Sequence, residues 1–177
     1  SYLPMIIFMA FLGKLTRKFG KKNVIVMTMF VGAVAGIVSI FMPALMGIIA
    51  DRWVQAQRLL SFCHFMAAVF MLAVVYVGTT KGEELMFSDI FWIYSLSVAF
   101  YMPTLALSNT VAFSILSRHN YDTVKAFPPI RVFGTIGFIA AMWFVNFAKI
   151  GGEAFQFTYM QLITSGILGL VLGLYSF

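Results

Sequence analysis

Six apolar runs, at about 2–13, 23–50, 59–79, 88–116, 129–148 and 155–177, divide this chain of 177 residues. An α-helix rises ~1.5 Å per residue, so about 20 apolar residues cross the hydrocarbon core of a bilayer. The last five runs reach that length and the first is a stub. Inside lipid every backbone amide must find its partner in protein, and a run of this length does so as a helix. Composition agrees: a soluble domain carries about 25% charged residues, whereas this chain carries 10% and is 62% hydrophobic. The reading is an all-α, multi-pass membrane protein of five to six transmembrane helices, with the lipid bilayer as its surroundings. The single cysteine, Cys63, excludes an internal disulfide and fits no zinc spacing, so no metal site and no cofactor are read.

The net charge of +6 comes from 12 Lys and Arg against 6 Asp and Glu. In a membrane protein such an excess reports topology, because cytoplasmic loops collect Lys and Arg, and no nucleic-acid partner is read from it. Arg52 and Arg58 mark the loop 51–58, and Arg118 and Lys125 the loop 117–128. The loops 80–87 and 149–154 are neutral or acidic. The basic pair is therefore expected in the cytoplasm and the other pair outside. The head breaks this order. Residues 13–22, GKLTRKFGKK, are the most basic stretch, yet only the run 23–50 separates them from Asp51. That run makes one long tilted crossing and cannot make two, so two cytoplasmic signals fall on opposite sides.

The two basic loops also resemble each other. Gly13-Lys-Leu-Thr-Arg17-Lys18-Phe-Gly20-Lys21-Lys22 aligns with Gly47-Ile-Ile-Ala-Asp51-Arg52-Trp. Both resemble the cytoplasmic loop motif of the major facilitator superfamily, roughly G-x-x-x-D-R-x-G-R-R; any positive-inside loop is the plainer reading. In the motif, Gly47 lets two helices approach closely. Asp51 can sit at the positive N-terminal end of the next helix, and Arg52 holds the cytoplasmic face. A second copy one helix away is out of place for that superfamily. Residues 1–36 are accordingly expected to form an atypical head, foreign to residues 37–177. The head is weakly similar to sugar–cation symporters of the same superfamily.

From about Ile37 onward, SIFMPALMGIIADRW, FYMPTLALSNTVAF and FPPIRVFGTIGFIAAMW resemble the bacterial nucleoside:proton symporter family. The three stretches stand in that family's order. The resemblance implies a twelve-helix transporter of the bacterial inner membrane, with two six-helix halves and alternating access around a site at mid-membrane. Residues 37–177 would supply helices two to six of the N-terminal half. The chain begins at Ser1 without a methionine and ends inside an apolar run, so a fragment is expected, with the C-terminal transporter half missing.

FPPIRVFGTIGF, residues 127–138, puts Arg131 inside an apolar run. Pro128 and Pro129 suit the first turn of a helix. Arg131, Thr135 and Phe138 then fall at i, i+4 and i+7 on one face, with Gly134 and Gly137 beside it. That face offers a fixed cation with five donors, a hydroxyl and a ring, which suits a nucleoside. The resemblance implies that these three residues line the nucleoside site. The plain alternatives are an Arg131 snorkelling to the headgroups, a Thr135 bonded to its own helix and a Phe138 that only packs. Ser108-Asn109-Thr110 lies mid-span past Pro103, and Asn109 serves either the substrate or a neighbouring helix. His64 is either a proton relay or a packed histidine, and Asn146 and Gln161 read as interfacial. No Asp or Glu lies inside a span, although a proton-coupled carrier needs a titratable group in its pathway. Unless His64 serves, that group is expected outside this chain. No H-E-x-x-H, paired intramembrane aspartates or Ser–His arrangement points to an enzyme. The competing functions are a sugar–cation symporter and a truncated, non-transporting membrane protein.

Overall fold

The computed structural model describes residues 21–150, 153–155 and 159–177. Its helices are α1 (Lys21–Arg52), α2 (Ala56–Lys81), α3 (Phe87–Arg118), α4 (Thr123–Phe147) and α5 (Met160–Tyr175). A single turn of tighter helix, Gly82–Glu84, joins α2 to α3. Between α4 and α5 two short strands, β1 (Lys149–Ile150) and β2 (Glu153–Ala154), pair antiparallel, Lys149 with Ala154. The expected all-α architecture is present, and four helices are long and apolar enough to cross a membrane: Met29–Arg52, Ala56–Lys81, Phe87–Arg118 and Thr123–Phe147. The run 155–177 yields less helix than its length suggests. Phe155 instead donates its N–H to the Ala148 carbonyl (2.9 Å), and α5 starts only at Met160, giving 16 residues.

Local chemistry sets the helix ends. Gly82 takes φ +49°, a left-handed conformation that costs glycine little, and turns the chain after α2. The Asp89 carboxylate accepts the Met86 N–H (3.0 Å) and pairs with Lys81 (2.9 Å), joining the start of α3 to the end of α2. After α3 the left-handed residue is Asn120, at φ 57°, a common substitute for glycine there. Asp122 then caps α4 by accepting the Val124 N–H at 3.0 Å.

Lipid is as apolar as leucine, so helices in a bilayer associate through close packing and hydrogen bonds. Here α2 is the central element, with α3 on one side and α5 on the other, while α1 lies mainly on α3. Met71, Val74 and Val75 of α2 meet Ile90, Phe91, Tyr94 and Val98 of α3, Leu162 of α5 and Val31 of α1. A second cluster gathers Leu59, Leu60 and fully buried Cys63 with Met46 and Leu107. The α2–α5 seam is built on small residues. A Cβ on Gly166 would collide with the Leu72 side chain at 2.7 Å, one on Gly169 would meet Ala68 Cβ at 3.0 Å, and one on Gly173 would press on backbone at Phe65 and Ser61. Ser61 donates its hydroxyl to the Gly173 carbonyl, and Ser97 of α3 donates to the Ala67 carbonyl at 2.8 Å.

Two expectations change. Asp51 sits in the last turn of α1, not at the start of the next helix. The α1–α2 turn comes after it, and α2 begins at Ala56 behind Gln55. A Cβ on Gly47 would meet nothing within 4 Å among the described residues, so no close approach depends on it there. The expected head, 1–36, lies outside the described residues as far as Gly20; Lys21–Gly36 belong to the continuous helix α1.

Candidate functional site

Helix α4 starts earlier than the proline pair suggests. With Asp122 as its cap, Thr123 is the first helical residue, so Pro128 and Pro129 fall in the second turn. The expected loop 117–128 shrinks to His119–Asp122. Arg131 thereby moves from one turn to more than two turns into its helix, ~12 Å along the axis from Thr123.

Arg131 and Thr135 are exposed and Phe138 is half-buried, in succession along one side of α4. Arg131 forms no ion pair among the described residues. Thr135 donates its hydroxyl to the Arg131 carbonyl at 3.2 Å, which is the self-bonded reading of that threonine. Added Cβ atoms at Gly134 and Gly137 would meet nothing within 4 Å among the described residues, so the glycines leave room beside the stripe there. No residue of α4 is buried, and its main neighbour is α3.

On α3, Ser108 donates to the Leu105 carbonyl (3.0 Å) and Thr110 to the Ala106 carbonyl (3.1 Å). Both hydroxyls are thus held by their own helix, while the Asn109 side chain is exposed. A contact between α3 and α4 sets the level of that amide. Phe113 and Phe127 stack with ring centroids 4.2 Å apart and an interplanar angle of 26°. Asn109 lies one turn from Phe113, and Arg131 one turn from Phe127. The helices run antiparallel, so both turns lead away from the connecting loop and place Asn109 and Arg131 at one level. The sequence reading singled out both polar residues but neither ring. An aromatic residue four positions before an intramembrane arginine, and another four after the asparagine, were the available signal.

The remaining singled-out residues lie elsewhere. Asp51 and Arg52 are exposed at the end of α1, where Trp53 and Val54 return their N–H groups to the Ile49 carbonyl at 2.9 and 3.1 Å. His64 is half-buried on α2 beside Cys63. Asn146 is exposed, and Gln161, the second residue of α5, is buried next to Leu162 of the main core. Asp89 is the third residue of α3, and the described acidic residues all lie at helix ends or in connections. No group of His, Cys, Asp and Glu suited to a metal ion exists among the described residues.

The family model described as nucleoside H+ symporter matches residues 28–177. The xanthosine permease of Escherichia coli (strain K12) is 39% identical over 141 residues, 80% of this chain and 31% of that protein. The nucleoside permease NupG of the same organism is 37% identical over 141 residues, again 31% of its length. This chain thus spans about a third of the curated relatives it matches. The crystal structure of the nucleoside transporter NupG superposes with a TM-score of 0.69 at 32% identity, covering 98% of this chain and 42% of that one.

Proposed function

The chain belongs to the nucleoside H+ symporter family, and from that premise we propose that it forms part of a secondary carrier that moves a nucleoside with a proton by alternating access. The observation that carries this is an arginine with no ion pair among the described residues, more than two turns inside an apolar helix and one turn from the Phe113–Phe127 stack, as Asn109 is on the adjoining helix. Arg131 donates to carbonyl or ribose oxygens of the substrate. Asn109 supplies an amide from the other side, Thr135 a hydroxyl oxygen and Phe138 a ring face. In this reading residues 37–177 are helices two to six of the first transporter half, residues 1–36 are an atypical head, and a second half completes the substrate cavity. Lys and Arg at the 51–58 and 117–128 turns hold those turns in the cytoplasm of a bacterial inner membrane. The described acidic residues lie outside the mid-span regions, so the proton-coupling group belongs to the remainder of the carrier.

The test is calorimetric titration with uridine of a complete carrier containing these helices. A hydrogen bond from a charged group contributes ~1.5–3 kcal/mol, so Arg131→Ala weakens binding roughly 10- to 150-fold. Arg131→Lys keeps the charge but loses the planar fork and rescues poorly. Wild-type affinity in Arg131→Lys would reduce this arginine to a headgroup anchor and sink the assignment.

A further inference from the structure

We propose that the Phe113–Phe127 stack is a positioning element for substrate binding, setting where α4 carries Arg131 relative to Asn109. The proposal rests on the reading of Arg131 as a nucleoside ligand.

Three observations carry it. The start of α4 is held by the short His119–Asp122 connection and the Asp122 cap. One turn later Phe127 stacks on Phe113 at 4.2 Å, the one aromatic contact between α3 and α4 among the described residues. Beyond that point α4 has no buried residue. The helix is thus fixed at its foot, steadied on α3 at Phe127 and tied again near its far end, where Phe144 meets buried Phe155 with ring centroids 5.6 Å apart; Arg131 lies close to the Phe127 support. Measured along the axis from Asp122, Phe127 stands at ~7.5 Å, Arg131 at ~13.5 Å and Phe138 at ~24 Å. With both ends held, a shift of about 1 Å at Phe127 bows the helix and carries Arg131, ~6 Å further along the axis, by a similar amount. Displacement on that scale breaks a hydrogen bond, whose useful range spans only a few tenths of an ångström. Neither ring need touch the substrate for the stack to govern affinity.

The rings are also suited to the task. A stacked pair is geometrically defined, whereas aliphatic side chains of similar size slide over one another. Aromatic pairs contribute about 0.5–1.5 kcal/mol beyond the area they bury, equivalent to about 2- to 12-fold in an equilibrium at 1.36 kcal/mol per decade.

The experiment uses a complete carrier containing these helices, with uridine as the probe, and compares variants of matched thermal stability. Phe127→Leu and Phe113→Leu each weaken uridine about 2- to 12-fold, and the double variant is no worse than either single one. Phe127→Tyr keeps the stack and restores affinity. The cycle with Arg131→Ala is decisive, because residues acting through one another are not additive: once Arg131 is gone, Phe127→Leu costs nothing further. Should the leucine variants fail to fold, Phe127→Met fills the same space flexibly and enters the same cycle. Wild-type affinity in Phe127→Leu, beside a weakened Arg131→Ala, overturns the positioning role and leaves the Arg131 assignment standing. The same loss from Phe127→Leu with and without Arg131 also overturns it, since the stack would then act independently. Unchanged affinity in Arg131→Ala overturns the site assignment and the positioning role with it.

Discussion

Gly173→Val should separate α5 from α2. A Cβ at Gly173 would stand 3.3 Å from the Phe65 nitrogen and 3.3 Å from the Ser61 carbonyl oxygen, with the Phe65 Cα at 3.6 Å. All three are backbone atoms and cannot rotate aside, so the two further methyl carbons of valine must push the helices apart. Overpacking costs about 1–3 kcal/mol, and separation also breaks the bond from Ser61 to the Gly173 carbonyl, typically ~0.6 kcal/mol between membrane helices. Replacing glycine in a helix returns about 0.5 kcal/mol, leaving a net loss of about 1–3 kcal/mol. Gly32→Val is the control, because a Cβ there meets nothing within 4 Å among the described residues, and it should stay within about 0.5 kcal/mol of the parent. The assay is reversible unfolding of this chain by SDS titrated into mixed micelles, followed by circular dichroism. Ser61→Ala should cost less in the Gly173→Val background than alone, since the bond it removes is already broken. Equal stability of Gly173→Val and the parent, or equal losses from the two valines, would refute the seam.

In the same assay Asp89→Ala should cost about 1–2 kcal/mol, because the carboxylate caps α3 at the Met86 N–H. Lys81→Ala removes only the half-exposed ion pair and should cost about 0–1 kcal/mol. For topology, cysteines are placed at Glu84 and Trp53 of a Cys63→Ala chain in intact cells; an impermeant thiol reagent should label position 84 and spare position 53, and the opposite pattern would invert the assigned orientation.

The spans were legible because apolar length is a one-dimensional quantity. Helix starts were less so. The rule that proline favours the first turn pointed to Pro128, but Asp122 supplies the acceptor that the first N–H groups need and starts the helix a turn earlier. Asp51 was read as facing a following helix, yet its own helix runs through it to Arg52. The burial of Gln161 was not legible either, because it depends on α5 entering the core at Leu162. Glycines show the limit most plainly. Gly134 and Gly166 look alike in sequence, but only Gly166 has a neighbour pressed against it. Such contacts depend on which helix comes to lie opposite, and no local pattern records that. The level shared by Asn109 and Arg131 is of the same kind, since it follows from a stack between two helices.

Exposure in this chain has two chemistries, and the difference supports the proposed site. On α5 the exposed large residues include Ile167, Leu168, Val171, Leu172 and Leu174, a largely apolar surface that lipid can cover, and the exposed Thr164 gives its hydroxyl to its own helix at the Met160 carbonyl (2.8 Å). On the α4 side the exposed surface includes Arg131 and Thr135, with Asn109 on α3 at the same depth as Arg131. Lipid cannot cover a guanidinium more than two turns inside a span without a cost of several kcal/mol. That face must therefore meet water or further protein, whereas the α5 face need not. The hydroxyls that tie helices together, Ser61 and Ser97, are both buried in the α2, α3 and α5 packing. These two core hydroxyls are used between helices, whereas Thr135 of α4 and Ser108 and Thr110 of α3 bond their own helices. In the proposed reading, a substrate that satisfies the cation and the amide together is received on the α4 side.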